Sequence, residues 1–258
     1  MNINKTFDLG GEHTVNRLGF GAMRLTDQPG NFGPYPKWDE GIALLRHAAD
    51  LGVQFFDSAY AYGPGWADRL IGEALEARRD GLVIATKGGV AKPAPNQIVI
   101  DGSPAALNAQ IDASLVNLKT DRIDLFQLHR VDPNVAIEES IGAIDDARRE
   151  GKVRMIGVSN VNRDQLDRAL NTAPIVSVQN RFNSSETADA DLVEYTASLG
   201  IAFLPYGPLG AHPMRQGAAL PALEALKWLL EKSPNVIVIP GTTSLKHLQE
   251  NVRALDHI

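Results

Sequence analysis

The sequence predicts an α/β protein, a (β/α)8 TIM barrel that carries an N-terminal β-hairpin, in a single domain over residues 1–258. Short β-rich apolar runs alternate eight times with amphipathic runs, as the repeat of a parallel barrel requires. The length of 258 residues is close to the usual length of such a barrel, about 250 residues. We find no linker or low-complexity tract that would divide the chain.

The elements follow from this periodicity in chain order. The hairpin is predicted at residues 7–15, FDLGGEHTV, with Gly10 and Gly11 in the turn. Strands are predicted at residues 17–21, 54–57, 82–86, 123–128, 153–158, 175–178, 202–205 and 236–239. Helices are predicted at residues 37–51, 67–78, 103–118, 134–150, 162–170, 187–199, 219–232 and 243–255.

Helix boundaries have their own signals. Ser103 precedes Pro104, which places a capping hydroxyl before a proline at the first helical position. Gly52, Gly151 and Gly200 each follow a predicted helix, where a left-handed residue ends the helix. An open doubly wound sheet is the alternative fold, but RLGFGAM after the hairpin lacks the third glycine of a dinucleotide-binding turn.

Composition excludes several functional classes. The formal net charge of −6 argues against a protein that binds nucleic acid through its phosphates. The absence of cysteine excludes a thiol nucleophile and a thiolate zinc site, and the histidines at 13, 47, 129, 212, 247 and 257 lack metal-ligand spacing. No signal peptide or membrane-length apolar run is present, so we expect a cytoplasmic protein. We also expect a monomer or weak homo-oligomer.

Four proton-handling residues stand where the predicted strands end. Asp57 ends the second strand, Tyr62 follows on a glycine-rich loop, Lys87 ends the third strand and His129 the fourth. In a barrel these ends meet at one mouth, where active sites lie. Each residue alone has an ordinary structural explanation, such as a turn cap, an interfacial tyrosine, a solvated lysine or a satisfied core histidine. Their conjunction on neighbouring strands favours an active site.

These residue types suit a reaction in which an alkoxide must receive a proton. Asp57 would keep a buried Lys87 charged, and Lys87 would lower the pKa of Tyr62 from about 10. The attraction between a phenolate and an ammonium about 4 Å apart is on the order of 4 kcal/mol at an effective dielectric of about 20. Tyr62 would then act as the general acid, while His129 would orient the substrate oxygen or share the proton.

The same residues resemble the aldo-keto reductase family. FFDSAYAYG resembles its second-strand signature, Asp57, Tyr62, Lys87 and His129 match its catalytic tetrad in identity and order, and the similarity runs from RLGFGAM to TTSLKHLQEN. The resemblance implies a (β/α)8 barrel that binds NADPH without a Rossmann fold and reduces aldehydes or ketones. The loop containing Phe32-Gly33-Pro34 is similar to a bacterial subgroup that includes pyridoxal reductases.

Further roles are carried over by the resemblance alone. Ser159, Asn160 and Gln179 would hold the nicotinamide carboxamide, Tyr206 would stack on the ring, and Gly207 and Leu209 would line the pyrophosphate. Gly241, Thr242 and Thr243 would contact the 2′-phosphate at a helix start, and Glu250 and Asn251 the adenine. His247 and Gln249 would face the same way by helical spacing. The full set of implied cofactor residues is Gly21, Ala22, Met23, Asp57, Ser159, Asn160, Gln179, Tyr206, Gly207, Leu209, Gly241, Thr242, Thr243, His247, Gln249, Glu250 and Asn251.

Two departures from the family pattern change the expectation. Gly241 and His247 stand where many relatives have a lysine and an arginine, so discrimination of NADPH from NADH should be weaker. The region after residue 204 is short and the chain ends soon after HLQEN, so we expect a pocket that is open on that side. Its remaining walls would be Met23, Tyr60, Trp66 and Arg130, with residues 26–39 as a partial lid.

The sequence therefore predicts an enzyme that reduces a small-molecule aldehyde or ketone with NADPH, with NADH as the second candidate cofactor. Tyr62 would be the general acid. A non-catalytic NADP(H)-binding barrel with a regulatory or sensing role is the alternative, and a lyase or isomerase barrel is a third interpretation. Neither a nucleic acid nor a membrane is an expected partner.

Overall fold

The computed structural model describes residues 4–209 and 220–257. The β-strands in this part of the chain are β1 (Thr6–Leu9), β2 (His13–Asn16), β3 (Phe20–Gly21), β4 (Phe55–Asp57), β5 (Val83–Gly88), β6 (Val90–Ala91), β7 (Val99–Ile100), β8 (Ile123–Leu128), β9 (Val153–Ser159), β10 (Ile175–Gln179) and β11 (Ala202–Phe203). The α-helices are α1 (Trp38–Asp50), α2 (Trp66–Leu75), α3 (Pro104–Leu118), α4 (Ile137–Arg149), α5 (Arg163–Thr172), α6 (Ala190–Ser198), α7 (Ala222–Lys232) and α8 (Leu245–Val252).

The main sheet is parallel and closes into a barrel. Its seven strands lie in the order β3, β4, β5, β8, β9, β10, β11. Residues 236–239 close it, because Val236 bridges to Phe203 on one side and Val238 bridges to Leu18 on the other, both in parallel. These bridges are isolated because proline follows at positions 205 and 240 and donates no hydrogen bond. The predicted (β/α)8 barrel is confirmed, and the open-sheet alternative is wrong.

The capping residues and glycines in the sequence predicted several helix boundaries correctly. The Ser103 side chain accepts a hydrogen bond from the amide of Ala106 at 3.3 Å, with Pro104 as the first residue of α3. Gly52, Gly151 and Gly200 have φ angles of 86°, 81° and 68°, which lie in the left-handed region that favours glycine. The predicted helix at 219–232 starts at a residue outside the described range, and its described part begins at Ala222.

Two apolar clusters make up the core. The larger one lies between the outer face of the barrel and the helices and includes Phe56, Ile84, Phe126, Ile141 and Leu229. The smaller one fills the barrel interior with Phe55, Val83, Ala85, Leu125, Met155, Ala202, Leu204, Ile237 and Ile239. Adjacent residues such as Phe55 and Phe56 therefore belong to different clusters, since successive side chains of a strand point to opposite faces.

The N-terminal hairpin covers the end of the barrel at which the parallel strands begin. β1 and β2 pair antiparallel, and Gly10 and Gly11 turn between them with φ angles of 65° and 73°. Leu9 and Val15 are almost completely buried and belong to the interior cluster. The predicted hairpin is confirmed, and its position leaves the other end of the barrel open.

A second hairpin, β6 with β7, was not predicted. It follows β5 and its strands pair antiparallel over two residues each, Val90 with Ile100 and Ala91 with Val99. Helix α6 also starts later than predicted, at Ala190 rather than at residue 187. Asp189 is held by the side-chain amide of Asn180 at 2.7 Å, so the chain turns into the helix only after that residue. Among the described helices, none combines the length and the apolar character needed to cross a membrane.

Candidate active site

Strand alternation places the predicted catalytic residues at the top of the barrel interior. Phe55 lies in the interior cluster, so Asp57, two residues later, points inward one level higher. Val83 and Ala85 lie in the same cluster and put Lys87 in the same position on β5. Because side chains alternate along a strand, the inward-pointing residues are apolar in the middle of the barrel and polar at the strand ends.

Asp57 and Lys87 form a buried ion pair in this layer. The Lys87 Nζ lies 2.8 Å from each carboxylate oxygen of Asp57 and 2.7 Å from the carbonyl oxygen of Ser58. Lys87 is fully buried and Asp57 is 2% exposed. Three acceptors match the three N–H groups of an ammonium, so the geometry holds the charged form of the lysine.

Two glutamine amides complete the environment of Asp57. Gln179 donates from Nε2 to Asp57 Oδ1 at 2.8 Å, and Gln127 donates to the same oxygen at 3.5 Å. Gln127 in turn accepts a hydrogen bond from Ser177 at 3.3 Å. A Cβ on Gly157 would lie 2.1 Å from Ser177 Oγ, so only glycine fits beside this network.

Tyr62 and His129 stand above the ion pair. Their ring centroids are 6.1 Å apart at an interplanar angle of 87°, an edge-to-face contact. The Lys87 Nζ lies 5.3 Å from the Tyr62 ring centroid. The structure therefore brings all four predicted catalytic residues together.

The loop that carries Tyr62 is fixed by backbone bonds to the neighbouring strand. The amides of Ser58 and Tyr60 donate to the carbonyls of Ala85 and Lys87 at 2.8 and 3.0 Å. Gly63 has a φ of 72°, and a Cβ there would lie 2.6 Å from the carbonyl oxygen of Gly33. The glycine after Tyr62 thus allows the loop that contains Gly33 to pack directly on the loop that carries Tyr62.

Burial dominates the electrostatics of the site. It raises the pKa of Tyr62 above its ordinary value, and the negative charge of Asp57 adds to this rise. Our expectation of a net lowering of the Tyr62 pKa is therefore wrong for this structure, because burial outweighs any effect of Lys87. Burial also lowers the pKa of Lys87, against the opposing effect of Asp57. The pKa of His129 lies well below 6.5, because of burial and then the charges of Lys87, Arg130 and Lys92.

A hydroxyl and amide network lies beside this group. Tyr206 donates from its hydroxyl to Asn160 Oδ1 at 2.8 Å, and Asn160 Nδ2 donates to the carbonyl of His129 at 3.0 Å and to Ser159 Oγ at 2.9 Å. Ser159 donates to the carbonyl of Gln179 at 2.7 Å. Asn160 has a φ of 57°, a left-handed conformation that asparagine tolerates better than most residues. The ends of four barrel strands are thereby linked.

A cavity of about 400 Å³ opens above these residues. It brings together most of the predicted site, and the predicted residues in its lining are Gly21, Met23, Asp57, Tyr62, His129, Arg130, Ser159, Asn160, Gln179, Tyr206, Gly207, Leu209 and Gly241. Lys87 lies buried beneath the floor. The size and the mixed apolar and polar lining are typical of a small-molecule site.

Two residues predicted as substrate walls are not in the cavity lining. The Trp66 ring packs edge-to-face on Trp38 at 5.8 Å, with the Arg69 guanidinium 5.1 Å from its centroid. Trp66 and Tyr60 are both absent from the lining, and so is Ala22, which is fully buried. Trp66 thus ties α2 to α1.

The residues predicted for the far end of a nucleotide lie beyond the cavity. They are Thr242, Thr243, His247, Gln249, Glu250 and Asn251, of which Thr242 and Asn251 are buried and the others exposed. α8 begins at Leu245, and Ser244 caps it by accepting from the amide of His247 at 3.4 Å. His247 and Gln249 lie on this helix about 200° apart and point to nearly opposite sides. The prediction that both face the same way is therefore wrong.

Sequence reasoning missed several residues of the site. Gln127 follows the same two-residue alternation as Leu125 and could have been found from it. Lys92 and Ile98 line the cavity from the unpredicted second hairpin. Asp68 is a fully buried carboxylate of α2 that accepts hydrogen bonds from Thr86 at 3.0 Å and Ser114 at 2.8 Å. No sequence signal separates Asp68 from an exposed helix residue.

Known proteins are similar to this chain over nearly its whole length. The chain is 37% identical over 267 residues to the pyridoxine 4-dehydrogenase of Escherichia coli. The aligned region covers 97% of this chain and 93% of that one. It is 38% identical over 256 residues to an uncharacterized oxidoreductase of Schizosaccharomyces pombe, covering 95% and 83%.

Solved structures share the fold. A glycerol dehydrogenase of Gluconobacter oxydans superposes with a TM-score of 0.84 at 23% identity, covering 98% of this chain and 94% of that one. An aldo-keto reductase of Klebsiella pneumoniae, solved in complex with NADPH, superposes with a TM-score of 0.80 at 25% identity, covering 98% and 90%. The profile of the Aldo/keto reductase family matches residues 17–220. With this match over most of a barrel of the same architecture, the chain belongs to the aldo/keto reductase family.

Proposed function

We propose that this protein reduces an aldehyde or ketone to the alcohol, with hydride from NADPH and a proton from Tyr62. The observation that carries the proposal is the stack of Tyr62 and His129 on the buried Asp57–Lys87 pair at the floor of the cavity. Its setting in an aldo/keto reductase barrel supports the same reaction class.

The lining residues fit a nicotinamide cofactor. Ser159, Asn160 and Gln179 offer a hydroxyl and two amides at the strand ends, which suit a carboxamide that both donates and accepts. Tyr206 offers an aromatic face beside them, and Gly207 and Leu209 lead away from it along the cavity. When bound, the cofactor supplies the hydride, and a relative at 25% identity was solved with NADPH.

Tyr62 is suited to hold a proton until the carbonyl oxygen needs it. Its raised pKa keeps the hydroxyl protonated at neutral pH, which is the form that a general acid requires. As the proton leaves, the nearby Lys87 charge stabilises the phenolate that forms. His129 is neutral because its pKa lies well below 6.5, so it can donate one hydrogen bond to the substrate oxygen without carrying a charge.

The proposal is tested with Tyr62→Phe. We expect the variant to lose about 10²- to 10⁴-fold in kcat, because general acid catalysis contributes on this order. NADPH affinity, measured by tryptophan fluorescence, should change little. Tyr60→Phe is the matched control, since Tyr60 lies in the same loop but does not line the cavity.

Oxidation of NADPH at 340 nm would be followed with a panel of aromatic and aliphatic aldehydes and ketones. Pyridoxine with NADP⁺ is included because of the relative named for it. Full activity in Tyr62→Phe would remove Tyr62 from its role. NADPH binding without turnover on any panel member would instead support a sensing barrel.

A further inference from the structure

We propose that Lys92 and Arg130 form an anion subsite at the cavity mouth, and that the preferred substrate is a carbonyl compound bearing a carboxylate or phosphate group. The inference rests on the proposed function and assigns the substrate class for the same cavity. Both residues line that cavity.

The position of the two residues separates them from the cofactor side. Lys92 follows β6 in the loop after β5, and Arg130 follows the end of β8. The residues proposed for the cofactor lie at the ends of β9 and β10, after β11 and at Gly241. In the barrel order, β5 and β8 are neighbours, and β9, β10 and β11 follow on one side of them. The cations thus face the part of the mouth left for the substrate.

In the part of the chain that the structure describes, Lys92 is held in place by neutral groups and has no ion-pair partner. Its Nζ donates to the carbonyl oxygens of Asn31 at 2.9 Å and Gly30 at 3.3 Å, which are neutral acceptors. The side chain is half-buried, and burial lowers its pKa. Two carbonyls account for two of the three ammonium donors, so one donor is left for a ligand.

Arg130 adds a second positive charge beside the reacting group. It adjoins His129 in sequence, and the charges of both Arg130 and Lys92 act on the imidazole of His129. Among the ion pairs of residues 4–209 and 220–257, none involves Lys92 or Arg130. Asp57 is the one carboxylate in the described lining, and it is already paired with Lys87.

The other residues of the cavity lining indicate what the rest of the substrate should be. Arg181 also lines the cavity, but Glu186 neutralises it. Val90 and Ile98 provide apolar surface next to Lys92, and Ile98 is 54% exposed. A local positive charge in a protein of net charge −6 is best explained by an anionic ligand. The substrate should therefore combine an apolar body, a reducible carbonyl and an anionic substituent.

The test compares matched aldehydes with saturating NADPH. The carboxylate pair is 4-carboxybenzaldehyde and its neutral methyl ester, and the phosphate pair is glyceraldehyde 3-phosphate and glyceraldehyde. We expect the wild type to have a higher kcat/KM for the anionic member of at least one pair, and which pair it is distinguishes the two anions. Lys92→Met and Arg130→Met should each raise KM for that member by about 5- to 30-fold, the range of a partly exposed charge-assisted hydrogen bond.

Controls separate the subsite from folding and from the cofactor. The neutral aldehydes should keep their KM in both variants, and Lys227→Met, an exposed residue of α7, should leave both members of each pair unchanged. Arg130→Lys should restore part of the preference. Equal kcat/KM within both pairs would overturn the inference, as would a raised KM for NADPH in place of the aldehyde. Absence of turnover with every aldehyde in the wild type would instead refute the proposed function.

Discussion

The Lys87 ammonium carries a charge out of contact with water. A buried ammonium loses its proton unless acceptors replace its hydration, and here Asp57 and the Ser58 carbonyl do so at 2.7–2.8 Å. Asp57 is stabilised in turn by the amide of Gln179. The pair is therefore one unit, and replacing either partner alone would leave an uncompensated buried charge.

His129 links the site to the stability of the fold through pH. Its Nδ1 is buried without a hydrogen-bond partner in the described residues, and its pKa lies well below 6.5. The unfolded chain binds a proton at this residue below about pH 6.5, whereas the folded chain does not. The free energy of unfolding therefore decreases as the pH falls below 6.5 toward the lowered pKa.

His129→Gln removes this proton uptake and measures it. Urea unfolding of both proteins at pH 7.5, 6.0 and 5.0 should show the wild type losing stability faster than the variant. The difference should change by up to about 1.4 kcal/mol per pH unit below 6.5. Carboxylates present in both proteins cancel in the comparison. A difference that is constant with pH would mean that His129 titrates alike in the folded and unfolded chains.

At the positions of the candidate site, the sequence predicts which residue is present and which way its side chain points. It does not predict how far each side chain is removed from water. Asp57, Lys87 and His129 follow from strand ends and alternation, which are local properties of the sequence. The sign of the pKa change of Tyr62 depends on how far the surrounding elements exclude water, and the sequence does not report this. The same limit hid Asp68, whose burial results from packing of α2 against β5 and α3.

Helix α2 approaches α3 so closely that no side chain fits between them at one position. A Cβ on Gly72 would lie 2.4 Å from the carbonyl oxygen of Asn117 and 2.8 Å from the carbonyl carbon of Leu118. These are backbone atoms, so a rotamer change cannot relieve the clash. Since α2 begins at Trp66, shortly after Tyr62, this approach also fixes the helix that follows Tyr62.

Gly72→Ala should therefore destabilise the protein by at least about 2 kcal/mol, measured by urea unfolding. Gly142→Ala in α4 is the matched control, because a Cβ there has nothing within 4 Å. That substitution should stabilise by about 0.5–1 kcal/mol, since alanine is the better helix former and restricts the unfolded chain. If Gly72→Ala is neutral, the two helices can separate without cost.

The second hairpin shows why one element escaped the sequence analysis. β6 and β7 have two residues each, too few for an alternating pattern, and Pro93 and Pro95 stand between them. Its position is fixed by a distant contact, the bonds of Lys92 to the carbonyls of Gly30 and Asn31. Contacts separated by about 60 residues have no local signature, so the cavity wall they build was not predictable.

Arg17 connects the segments that close the barrel. Arg17 is fully buried, and its guanidinium donates to the carbonyls of Val236 at 2.9 Å, Leu230 at 2.6 Å and Ser233 at 2.5 Å, and to Asn4 at 2.9 Å. Burial lowers its pKa to about 10, so it stays charged at neutral pH. The acceptors lie in the N-terminal segment, at the end of α7 and in the closing segment, where helix carbonyls favour a cation.

The main chain of Arg17 lies in the seam, the junction between the first strand of the barrel and the closing residues 236–239. Val238 donates from its amide to the Arg17 carbonyl at 3.0 Å, and Gly19 donates to the Val238 carbonyl at 2.8 Å. Arg17→Met would leave several buried carbonyls without a donor, and we expect a loss of about 3 kcal/mol or more in urea unfolding. Arg168→Met is the control, because its pairing with Glu138 at 2.7 Å is exposed and should contribute little to stability.

Amide hydrogen exchange distinguishes a local opening of the seam from a general loss of stability. In Arg17→Met the amides of Gly19 and Val238 should exchange faster by a larger factor than the amide of Ile123, which donates to the Lys152 carbonyl at 2.9 Å between β8 and β9. A barrel that opens first between its first and last strands would protect the β8–β9 pair longer. Equal acceleration at all three amides would mean that Arg17 stabilises the folded state as a whole and that the seam is no weaker than the other strand pairs.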